Sequence, residues 1–102
     1  MTGSAERTAE LRAALAGLTD ALAHPQGFAA IDPDGIDAVF VPGGTGPMED
    51  LHDNADLGRI LAALQARTAP VATVCHGTIG LLSARSGVAW LFAGYRMTGY
   101  TD

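Results

Sequence analysis

Apolar residues recur every three or four positions between residues 5 and 23. Leu11, Ala14, Leu15, Leu18 and Leu22 share one face, a spacing that predicts a helix. Ser4 is placed to cap it, Glu6 suits the positive end of its dipole, and Pro25 ends it. The pattern then changes. GIDAVFVPGG holds a short β-forming run, Asp37 to Val41, closed by Pro42 and two glycines. Helical spacing returns in DNADLGRILAALQART, where Leu57, Ile60, Leu61 and Leu64 make a stripe to be buried. Asp53 or Asn54 stands at its start and Arg67 near its end. PVATV reads as a strand covered on both faces of a parallel sheet. Residues 77 to 84 predict a short third helix stopped near Gly87, and the tail WLFAGYRMTGYTD reads as one or two short strands.

This order of helices and strands predicts a parallel α/β sheet with helices on both faces. Such sheets bind ligands at the carboxyl ends of their strands. Two loops fall there, PGGTGPMED after the first strand and CHGT after the second. Their convergence is the main pointer to function.

Composition narrows the classes. The chain has 102 residues, one domain at most, spanning 1–102 and expected to be incomplete, and 48% are hydrophobic, which excludes a disordered composition. A net charge of -5 argues against a nucleic acid or an anionic membrane as partner. No apolar run approaches the roughly 18 residues of a membrane span, and MTGSAERTAELR lacks the pattern of a secretory signal. One cysteine forms no internal disulfide, so a reducing cytoplasm is the expected location.

That one cysteine, Cys75, lies in VATVCHGTIGLL at the predicted strand-to-helix junction. A strand that turns sharply into a helix exposes the side chain at the bend, and crowding there favours small neighbours such as Gly77. The positive end of the following helix favours a thiolate, and His76 could serve it as base or imidazolium partner. The bland alternative is a small buried core residue. In the other loop, Gly43, Gly44 and Gly46 let the backbone approach a ligand, and free N–H groups there could hold an oxyanion near the thiol. The loop matches neither G-x-x-x-x-G-K-[ST] nor G-x-G-x-x-G. Glu49, Asp50 and His52 lack a recognised metal-ligand spacing and read as solvated loop and cap residues.

DAVFVPGGTGPMEDL, followed by PVATVCHGTIGLL and LFAGYRMTGYTD, resembles the ThiJ/PfpI family of the class I glutamine amidotransferase-like superfamily, in the branch with glyoxalase III and heat-shock chaperone members. The resemblance runs from about Leu22 to Asp102. It implies a flavodoxin-like three-layer α/β/α sandwich with a mainly parallel sheet. It also implies Cys75 as nucleophile and His76 as its catalytic partner. The oxyanion and substrate-binding positions fall in the backbone around Gly43, Gly44 and His76, with Thr45 and Gly77 beside them. The implied activity takes a small reactive carbonyl, as in conversion of methylglyoxal to lactate or in deglycation, with no cofactor and no metal. Cys75 would add to the aldehyde carbon, and His76 would then move a proton at the adjacent carbon.

Three departures set a second expectation beside the first. The family places a strand, a helix and a strand, with an acid that meets the thiol, ahead of the region matched. Its branch usually has histidine at Thr45. It continues past TGYTD, where Asp102 is a poor candidate for a third triad member. The chain therefore reads as truncated at both ends, with an open sheet edge at Asp37 to Val41 that a homodimer could cover. The alternative function is a non-catalytic, chaperone-like or binding module whose thiol is at most redox-sensitive.

Overall fold

The computed structural model of the protein describes residues 4–100. Helix α1, Ala5–Gly17, starts where the Ser4 side chain accepts from the Arg7 amide at 3.1 Å. The expected single helix over residues 5 to 23 is instead two. Gly17 disfavours helix, and the Thr19 hydroxyl donates to the Ala16 carbonyl at 3.0 Å, so Leu18 leaves helical geometry before α2, Thr19–Ala23. The shared leucine face finds no cover: Leu11, Leu15, Leu18 and Leu22 all stay at least half exposed.

Two single 3-10 turns, Phe28–Ala30 and Pro33–Gly35, lead into strand β1, Val39–Val41. Both turns are tied to the long helix by arginines. Arg59 donates to the carbonyls of Phe28 and Ile31, each at 3.1 Å, and Arg67 to those of Pro33 and Ile36. Chain direction then reverses through α3, Gly46–Asp50, and α4, Ala55–Ala66, back to strand β2, Val71–Thr73. Asn54 caps α4 by accepting from the Leu57 amide at 3.0 Å.

β1 and β2 pair in parallel, with Val39 opposite Val71 and Val41 opposite Thr73. The crossover through α4 makes this one βαβ unit. Among the described residues each strand has one neighbour, so β1 keeps an open edge, and Phe40 is 64% exposed.

The core gathers on the face of α4 expected from the sequence. Leu57, Ile60, Leu61 and Leu64 are buried, the last two completely. Leu81, Ala84 and Phe92 complete the cluster around Leu57 and Leu61. Burial of each such leucine stabilises the fold by roughly 1.5–3 kcal/mol.

Two expectations for the C-terminal part need correction. The third helix is a 3-10 helix, Cys75–Ser83, starting two residues earlier than expected. Its glycines explain the tight approach: a methyl on Gly58 of α4 would strike the Ser83 carbonyl, and one on Gly80 would touch Leu57 and Leu51. The tail is not one or two strands. A short antiparallel hairpin, β3 Arg85–Ser86 and β4 Ala89–Trp90, turns at Gly87, which has φ +61°. Among the described residues of the tail only Trp90 is in a strand. Turn bonds from the Ala93 and Tyr95 amides, with Gly94 at φ +87°, then carry the chain away from extended geometry. Asp102 lies outside the described residues. Among the described residues no helix is long and apolar enough to cross a membrane.

Candidate functional site

β1 and β2 run side by side, so their carboxyl ends deliver the glycine loop and the cysteine turn to one place. The Val74 amide donates to the Val41 carbonyl at 3.2 Å, extending the pairing to the last residue before the thiol. There the backbone bends. Cys75 sits at φ +54°, left-handed geometry that a residue with a Cβ adopts only at a cost of about 1–3 kcal/mol. The Gly77 amide closes the bend on the Val74 carbonyl at 2.9 Å, and the hydroxyls of Thr73 and Thr78 bridge it at 2.9 Å.

Small residues let the two loops touch. Gly77 is buried under β1, where a methyl group would lie 2.5 Å from the Pro42 carbonyl oxygen and against that of Val41. A methyl on Gly43 would lie 2.6 Å from the Cys75 Cβ and 3.4 Å from its Sγ. Gly44 has φ +92° and open space at its Cα. Among the described residues no acceptor takes the amides of Gly43, Gly44, Cys75 or His76, so this junction offers free donors. Thr45 starts α3 but is exposed, and its side chain makes no cap hydrogen bond.

The Cys75 thiol is half-buried, with its Sγ 3.6 Å from the His76 Nδ1. The turn therefore swings the imidazole back to the sulfur. The Tyr100 ring packs against that of His76, with centroids 4.6 Å apart. Beyond the thiol opens a cleft of about 450 Å³, lined by Met48, Thr78, Ile79, Leu82, Gly99 and Tyr100 besides Cys75 and His76. Glu49, Asp50 and His52 are exposed and do not line it. Among the described residues no three His, Cys, Asp or Glu side chains are grouped to hold a metal.

Sequence reasoning assigned no role to the apolar lining. Thr78, Ile79 and Leu82 follow Cys75 by three, four and seven residues, a one-face spacing that carries the signal. For Tyr100 there was none, because it reaches His76 from an irregular segment 24 residues away.

A model of the DJ-1/PfpI family matches residues 13–102. A Danio rerio protein, glutamine amidotransferase-like class 1 domain-containing protein 1, is 34% identical over 77 residues, which is 76% of this chain and 36% of that protein. Deglycase PfpI of Pyrococcus furiosus is 33% identical over 69 residues, 63% of this chain and 41% of that protein. The chain thus spans less than half the length of these curated relatives.

Proposed function

Because this chain belongs to the DJ-1/PfpI family, whose fold is flavodoxin-like and class I glutamine amidotransferase-like, we propose that it is a cysteine-nucleophile enzyme for reactive carbonyl compounds. One observation carries the reading: Cys75 is held at φ +54° on a strand-to-helix elbow, facing a cleft and flanked by amides that no described residue accepts. The deglycase name of the Pyrococcus furiosus relative supports the same substrate class.

Methylglyoxal illustrates the proposed chemistry. The Cys75 Sγ bonds to the aldehyde carbon, and the thiol proton passes through His76 to the carbonyl oxygen, giving a hemithioacetal. The amides of Gly43, Gly44 and His76 are the donors available to that oxygen as its charge builds. His76 then takes the proton from the sulfur-bearing carbon and returns one to the neighbouring carbon, while the hydroxyl proton of the first carbon moves to the oxygen of the second, leaving a lactoyl thioester. Water cleaves the thioester, releasing lactate and restoring the thiol. One carbon is oxidised as its neighbour is reduced, so the sequence balances without an external oxidant or reductant.

Lactate released from methylglyoxal tests this reading. His76→Ala is expected to lower kcat by about a hundredfold or more, the usual contribution of a positioned acid–base group. An undiminished rate removes His76 from the chemistry, and no lactate from the wild-type chain removes the carbonyl reading.

A binding role has one observation in its favour, the uncovered leucines of α1 and α2 together with Phe40 on the open edge of β1. A second copy of the chain is the partner we propose for this surface, since exposed edges and apolar patches of this kind drive association. Sedimentation at low micromolar concentration is expected to give a dimer, and a compact monomer with a sharp thermal transition contradicts it.

A further inference from the structure

The cleft beside Cys75 is larger than a three-carbon dicarbonyl fills. Its volume of about 450 Å³ falls in the range, about 300–1,000 Å³, of sites that enclose drug-sized ligands. Four of its lining side chains are apolar or aromatic: Met48, Ile79, Leu82 and Tyr100. Among the described residues no arginine, aspartate or glutamate lines it, and the chain contains no lysine. Met48 is 46% exposed and Tyr100 62%, so both have apolar surface left to bury against a ligand. A carboxylate placed along Met48, Ile79, Leu82 and Tyr100 would leave water for an apolar wall, with His76, at the thiol end, the one side chain of the lining that can carry positive charge. The free backbone amides lie at the thiol end, where the carbonyl oxygen takes them.

We propose that the carbonyl substrate carries a neutral apolar group about the size of a phenyl ring, and that Met48, Ile79, Leu82 and Tyr100 select it over compact or carboxylate-bearing carbonyls. The proposal rests on the reading of Cys75 as the nucleophile. It adds a specificity that the thiol and His76 do not supply by themselves.

Cys75 is the only cysteine, so alkylation of the intact chain, followed by mass, reports on this cleft alone. Three probes separate the effects: iodoacetamide, N-benzyl-iodoacetamide and iodoacetate. Each rate is divided by the rate on the same chain unfolded in urea, which cancels intrinsic reactivity. The normalised rate is expected to be about tenfold higher for the benzyl probe than for iodoacetamide, and lowest for iodoacetate, in line with burial of an apolar ring. Leu82→Asp and, independently, Met48→Asp are expected to bring the benzyl-to-parent ratio close to one. Equal normalised rates for benzyl and parent probes, or a faster iodoacetate, overturn the specificity while the nucleophile reading stands. Failure of iodoacetamide to label the folded chain overturns both.

Discussion

Cys75→Ser is expected to lower lactate formation from methylglyoxal by about a thousandfold or more, the scale on which loss of a catalytic nucleophile is felt. The substitution exchanges sulfur for oxygen and leaves the backbone at φ +54° to the same elbow contacts: the Val74 amide on Val41, the Gly77 amide on Val74, and the Thr73–Thr78 bridge. What changes is the attacking atom. A serine hydroxyl is a far weaker nucleophile than a thiol unless a base removes its proton during attack. Here the base would be an imidazole whose nitrogen lies 3.6 Å from the sulfur, a separation longer than an O–H···N hydrogen bond allows. The measurement is kcat beside the urea midpoint. A thousandfold loss at an unchanged midpoint assigns the chemistry to the thiol. A serine variant that keeps a tenth of the activity contradicts the mechanism.

The second large effect is structural. Gly77→Ala adds a Cβ 2.5 Å from the Pro42 carbonyl oxygen and against the Val41 carbonyl, both of them backbone atoms that cannot rotate away. Relief requires the 3-10 helix to lift off β1, which separates the Cys75 turn from the glycine loop. Overpacking of this kind costs about 1–3 kcal/mol, and a backbone clash lies at or beyond the upper end. Gly46→Ala supplies the control in the same region. Its added methyl meets nothing within 4 Å and its φ is not left-handed, so a change of less than about 0.5 kcal/mol is expected. Urea unfolding of both variants reads the difference, and two equal midpoints would mean that Gly77 does not set the approach of helix and strand.

How much of this was legible in the sequence depended on how local the deciding contacts are. α4 was legible in full, because Leu57, Ile60, Leu61 and Leu64 bury the face that their spacing defines and Asn54 caps it from the adjoining position. Both strands lie within the segments expected, shortened by one or two residues at their ends. The strand-to-helix bend at Cys75 was legible for the same reason, since Val74, Cys75 and Gly77 are consecutive or nearly so. Leu11, Leu15, Leu18 and Leu22 gave a true periodicity, but periodicity does not reveal whether a partner surface exists, and none of the described residues buries them. The 3-10 geometry of Cys75–Ser83 was not legible, because Gly77, Gly80 and Gly58 permit it through contacts with β1, α3 and α4 that lie far away in the chain. The apolar cleft was hidden by the same non-locality. Met48 comes from α3, Leu82 from the 3-10 helix, and Tyr100 from a segment without regular structure.

The proposed chemistry requires the sulfur of Cys75 to be presented to solvent through the cleft, next to His76 and the amides of the glycine loop. Its most direct test is the rate at which iodoacetamide alkylates the folded chain, compared with the chain unfolded in urea at the same pH. Labelling of the folded chain is expected to be faster, by about tenfold, because the His76 Nδ1 lies 3.6 Å from the sulfur and can take its proton during attack. Slower labelling of the folded chain, as expected of a thiol sealed in the core, would contradict it.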